Sequence, residues 1–120
     1  MAVRGIRGAT CLAHDERGEM SDAVVELLRN MLDVNGMTEA DLISVLFTAT
    51  PDLTCMFPAA AAREAGLADV PLICATEIDV EGALPRTVRI LMHAETSRAR
   101  ADLTHVYLRG AEVLRQDLQR

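Results

Sequence analysis

The sequence predicts an α+β domain, a mixed β-sheet with one long helix packed on it. Three observations lead there. Residues 3–10 and 87–94 alternate with the two-residue period of strands, residues 21–35 carry apolar side chains at helical spacing, and the aliphatic runs at 42–48 and 72–78 are bounded by proline, glycine or polar turns. In chain order the elements read β, α, β, α, β, β, β. At 120 residues the chain forms one domain, residues 1–120, able to bury roughly two thirds of its unfolded surface.

In the first strand, Val3, Gly5, Arg7 and Ala9 fall on one face and Arg4, Ile6 and Gly8 on the other, and the two glycines are expected to clear space beside Arg7. A polar stretch, 14–19, precedes the helix at 21–35. Ser21 reads as its N-cap, Asp22 and Glu26 suit the positive end, Asn35-Gly36 is the stop, and Val24, Leu27, Leu28 and Met31 form the face that lies on the sheet. Thr38 with Asp41 resembles a capped turn before the buried strand at 42–48. Thr50-Pro51-Asp52-Leu53 is a loop; Pro58 opens a short helix over 59–65 and Gly66 ends it. In the run at 72–78, strict alternation places Cys74 and Glu77 on opposite faces, unless the strand ends or bulges near Ala75-Thr76. Arg89, Leu91 and His93 share one face of the next strand. Residues 99–103 form a helical turn, residues 105–109 a last strand with His105, Tyr107 and Arg109 on one face, and the tail, 111–120, is expected to be mobile.

Composition excludes several classes of function. The aromatics are only Tyr107, Phe47 and Phe57, so the core is aliphatic. No apolar run approaches the ~20 residues of a membrane span, and Arg4 and Arg7 interrupt the apolar residues of the N-terminus, so a cytoplasmic protein with no membrane partner is expected. A net charge of −6 opposes nucleic-acid binding, which rests on clustered cations. Cys11, Cys55 and Cys74 lack CxxC spacing, and His14, His93 and His105 make neither HxxxH nor HExxH, so neither a structural metal site nor a disulfide framework is expected. The chain has no lysine, and all 12 of its cations are arginine. That removes Schiff-base chemistry and the lysine of a phosphate-binding loop, leaving permanently charged forks suited to carboxylates and phosphates.

Glu77 and Arg89 stand out because each lies among aliphatic strand residues, where a charge is costly to bury unless paired. Two readings follow. The pair ties two strands together, or both side chains line a pocket for a small polar ligand.

Several spaced motifs agree with one family. Arg4-Gly5-Ile6-Arg7-Gly8-Ala9-Thr10, Ala49-Thr50-Pro51-Asp52-Leu53, Phe57-Pro58-Ala59, Glu77 with Asp79-Val80 and Gly82, Arg89, and His105-Val106-Tyr107-Leu108 followed by Arg115 resemble the monofunctional AroH-type chorismate mutases over nearly the whole chain. The resemblance implies conversion of chorismate to prephenate without a cofactor, by a homotrimer whose three sheets form a pseudo-α/β barrel with active sites between subunits. It implies that Arg89 is the central catalyst, donating to the ether oxygen and a neighbouring carboxylate. Glu77 accepts a hydrogen bond from the ring hydroxyl, and Arg7 and Tyr107 bind the side-chain carboxylate. The Ile73, Cys74, Ala75 and Thr76 segment, chiefly Cys74, lines the pocket; Phe57, Ala59 and Arg63 arrive from the neighbouring subunit; and Arg115 approaches the ring carboxylate. The chain departs from the pattern at Ala60, where some members have lysine, between Arg63 and Val70, where it is one residue shorter, and at Gln116, where a proline is familiar. Two rival readings are a RidA-type imine deaminase and a non-catalytic trimer that binds a small carboxylate.

Overall fold

The computed structural model describes residues 1–117. Its elements are β1 (Ala2–Cys11), α1 (Arg17–Val34), β2 (Leu42–Ala49), α2 (Pro58–Glu64), β3 (Leu72–Thr76), β4 (Thr87–Thr96) and β5 (Val106–Tyr107), with 3-10 turns at Glu39–Asp41, Arg100–Asp102 and Ala111–Asp117. The five strands form one sheet in the order β3-β2-β4-β1-β5. β4 runs antiparallel to both β1 and β2, whereas β3 joins β2 and β5 joins β1 in parallel, so the sheet is mixed as expected.

Period-two alternation sorts the strand residues into two faces. Ile6, Val45, Phe47, Val88, Ile90, Met92 and Ala94 point to one side and are buried with Met20, Val24, Leu27 and Met31 of α1. The short helix α2 joins α1 on this side and buries Ala59, Ala61 and Ala62 in the same core. Its small side chains let it approach closely, Pro58 occupies the first turn where a missing N–H is harmless, and Gly66, at φ 114, follows its end.

Three local expectations are corrected, and one left open is decided. α1 begins at Arg17, a turn before Ser21. Glu16 is the N-cap, its carboxylate accepting from Gly18 N at 3.1 Å, while Glu19 reaches back to the amides of Ala13 and His14; Ser21 lies inside the helix. Gly8 makes room for the helix and not for Arg7. A Cβ there would collide with Met31 Sδ and crowd Leu27 Cδ1 at 3.1 Å, whereas one at Gly5 would make an ordinary 3.5 Å contact with Leu91. β3 ends at Thr76, where the sequence left a strand end open, and Glu77 N still donates to Ala49 O at 3.0 Å, so the pleat continues one residue further. β5 is only two residues long, because Arg109 (φ 51) and Gly110 (φ 93) turn the chain into the 3-10 helix. Arg109 therefore pairs with Glu26 of α1, at 2.9 Å. That 3-10 helix, Ala111–Asp117, packs on β1 and β5; residues 118–120 of the tail lie outside the described residues.

Candidate active site

Among the described residues, no α-helix packs on the other face of the sheet, and only the 3-10 turn at Ala111–Asp117 lies against part of it. Registers place Thr48 opposite Arg89 across β2 and β4, Arg89 opposite Ala9 across β4 and β1, and Ala9 opposite Tyr107 across β1 and β5. One pleat along, Leu46, Leu91 and Arg7 form a second row. Arg89 thus stands near the centre of the open face, with the small Ala9 on one flank and a hydroxyl on the other. The resulting cleft, about 430 Å³, also takes in Glu77, and Leu114 from the 3-10 turn closes one side. It has the size of a small-molecule site.

Glu77 reaches this face because residues 73, 75 and 77 share one side of the pleat. Thr48 Oγ1 donates to Glu77 Oε2, and Arg89 Nε lies 3.5 Å from the same oxygen. Both readings of the Glu77 and Arg89 charges therefore meet in one geometry. The ion pair exists, but it is long, and Arg89 keeps 50% of its side chain exposed against 26% for Glu77. A single partner does not satisfy a guanidinium with five N–H donors. The cleft holds two arginines against one glutamate in a chain of net charge −6, so fixed positive charge is concentrated where an anion would sit.

Loops outside the cleft fix its walls. Asp52 accepts from Arg86 N at 3.0 Å and from Thr50 Oγ1 at 2.5 Å, joining the loop after β2 to the start of β4. Arg86 holds a positive φ of 47 and is pinned on its other side by Nε donating to Leu12 O at 2.9 Å. Asp15 accepts from Thr54 N, Thr54 Oγ1 and Cys55 N at 2.7 to 3.0 Å. These bonds, Thr54 first and Cys55 next, hold its carboxyl down at about 2.

Of the residues singled out in the sequence, Arg7, Glu77, Arg89 and Tyr107 come together in the cleft. The others do not join them within one chain. Cys74 points to the helix side, half-buried against the core, which answers the parity question: it and Glu77 do face opposite ways. Cys74, Ala75, Thr76 and Phe57 line a second concavity instead. Ile73 and Phe57 are exposed, at 65% and 70%, whereas Ala59 is 3% exposed inside the chain's core. Arg63 and Arg115 are exposed and outside the cleft; the tail residue that lines it is Leu114. Thr48, Leu46 and Leu114 were missed. For Thr48 the available signal was its phase, two residues from Leu46 and out of step with the buried Val45 and Phe47.

Among the described residues, no helix is long and apolar enough to cross a membrane, and no group of three or more His, Cys, Asp or Glu is placed to hold a metal ion.

The family model described as chorismate mutase type I matches residues 3–118. A Thermus thermophilus protein, chorismate mutase AroH, is 46% identical over 118 residues, which is 98% of this chain and 97% of that protein. The Bacillus subtilis chorismate mutase AroH is 40% identical over 119 residues, 98% of this chain and 94% of that one. The solved structure of a Clostridium thermocellum chorismate mutase superposes with a TM-score of 0.90 at 43% identity, covering 92% of this chain and 98% of that one.

Proposed function

The chain belongs to the chorismate mutase type I family, and from that premise we propose that the open sheet face is where chorismate rearranges to prephenate. The enzyme is an isomerase of aromatic amino acid biosynthesis. Its substrate is a dianion that rearranges within itself, breaking an ether C–O bond while a C–C bond forms. Such a reaction gains from restraint in a reactive conformer and from charge placed against the ether oxygen as it becomes negative.

The observation that carries this reading is the position of Arg89, central on the open face, half-exposed, and incompletely satisfied by Glu77. In the proposed complex Arg89 donates to the ether oxygen and an adjacent carboxylate. Arg7 and Tyr107 grip the side-chain carboxylate. Glu77, held by Thr48, accepts from the ring hydroxyl, so substrate replaces the long ion pair on both of its members.

The finished site includes neighbours. The open face carries exposed Val3 and Ile73, and Phe57 projects from another edge, which supports a homotrimer whose sheets meet on these surfaces as a pseudo-α/β barrel. In that assembly Phe57, Arg63 and the backbone of Ala59 close an adjacent subunit's cleft, the 73–76 segment lines it, and Arg115 approaches the ring carboxylate. No cofactor takes part. Neither the deaminase nor the carboxylate-sensor reading has an observation in its favour.

The test is the loss of chorismate ultraviolet absorbance with purified protein and no added cofactor, with the product identified as prephenate. Conversion that survives a metal chelator is expected. A folded protein that leaves chorismate intact contradicts the proposal.

A further inference from the structure

β5 is too short to hold itself. Its two residues pair with Gly8 and Ala9, and Leu108 N donates to Ala9 O at 2.9 Å. At the next position on this edge of β1, the Arg7 amide donates to Nδ1 of His105, at 2.9 Å, where a longer β5 would have offered a backbone carbonyl. One residue earlier, the buried Asn35 side chain, at the end of α1, accepts from Thr104 N at 2.8 Å and donates to Thr104 O at 2.9 Å. Two side chains thus supply the rungs that a longer strand would have supplied from its backbone.

We propose that His105 is a positioning residue for substrate binding: its Nδ1 replaces the missing rung between β1 and β5 and so holds Arg7 and Tyr107 side by side in the cleft. The imidazole does not line the cleft. It acts on the Arg7 backbone, whose amide lies in the plane of the sheet while the side chain stands out from it. An acceptor at Nδ1 requires the neutral ring with its proton on Nε2. Burial, and then the Arg7 charge, push the His105 pKa down and favour that form.

The inference rests on the reading that Arg7 and Tyr107 bind the substrate's carboxylate. Both grip it before and during the rearrangement, so loosening them weakens ground state and transition state alike. Affinity then suffers more than turnover.

Three substitutions at His105 test this, with Arg7→Ala as control. Asparagine places its Oδ1 near the position of Nδ1, glutamine carries its acceptor one bond further out, and leucine has none. His105→Asn is expected to keep KM within about threefold of wild type, while His105→Gln and His105→Leu raise it about tenfold and change kcat by less than about threefold. A His105→Leu enzyme with wild-type KM overturns the proposal, as does a His105→Asn enzyme that is unfolded or no better than the other two, or a loss confined to kcat. Should His105→Leu fail to fold, the comparison of Asn with Gln decides. If Arg7→Ala leaves KM unchanged, the reading of Arg7 as a substrate ligand fails and takes this proposal with it; a raised KM there beside wild-type values in all three His105 variants sinks the proposal alone.

Discussion

The two faces of the sheet are made by the same strands and differ in one respect, whether the protein itself satisfies its side chains. On β4, Val88, Ile90, Met92 and Ala94 are buried under the helices, while Arg89, Leu91 and His93 alternate with them onto the open side. The covered face is closed by complementary packing, with Gly8 cut down to admit Met31. The open face carries charges whose partners are incomplete. Stability should therefore depend on one face and chemistry on the other, and substitutions can separate them.

The largest expected effect is on the covered face. Phe47 is fully buried, so Phe47→Ala should cost about 3–5 kcal/mol of stability in denaturant unfolding. At a temperature where the variant stays folded, turnover should hardly change. Lost turnover in a folded Phe47→Ala enzyme would show that the faces are coupled.

Gly8→Ala comes next. The added methyl has to push Met31 aside, and about 1–3 kcal/mol of stability should be lost through overpacking. An unchanged unfolding midpoint would mean that the helix is not held so closely against β1.

The converse experiment is Glu77→Gln, which keeps the shape of the side chain and removes its charge. The half-exposed ion pair should contribute no more than about 1 kcal/mol to stability, while turnover should fall by at least about tenfold. A variant that loses stability and keeps its activity would make the pair a structural tie.

A smaller effect tests the loop that carries Phe57. The Asp15 carboxyl is lowered from 3.8 to about 2 in the folded chain by its bonds from Thr54 and Cys55. Because the folded value lies below the unfolded one, this contribution is complete above about pH 4 and disappears as pH falls towards 2. Asp15→Asn should therefore destabilise the protein at pH 6 and progressively less on acidification. A gap in melting temperature that stays constant down to pH 2 would contradict the assignment.

The covered face was the more legible in the sequence. The alternation of β4 and the apolar stripe of α1 identified most of the buried residues, and the same alternation put Arg89 opposite them. Glycine carries no such sign of direction. Which face Gly8 serves depends on where α1 lies, which only tertiary structure reveals. The start of α1 was misplaced because Ser21 is a familiar cap, whereas the cap is Glu16, whose carboxylate accepts from Gly18 N, and Glu19 ties the preceding loop to the helix through the amides of Ala13 and His14. Thr48 looked like an ordinary strand residue, and its bond to Glu77 depends on the parallel register of β2 and β3. Arg7, Glu77, Arg89 and Tyr107 could be read from the motifs. Phe57, Arg63 and Arg115, also read from motifs, are not brought to the cleft by folding of one chain.

The central claim is that a fixed cation on the open face drives the rearrangement, and the kinetics of Arg89→Ala test it most directly. The account predicts that kcat falls by on the order of 100-fold or more, about 3 kcal/mol in the barrier, with KM changing less and the melting temperature within a few degrees of wild type. A folded Arg89→Ala enzyme that retains more than about a tenth of wild-type kcat would contradict it and move the catalytic charge elsewhere.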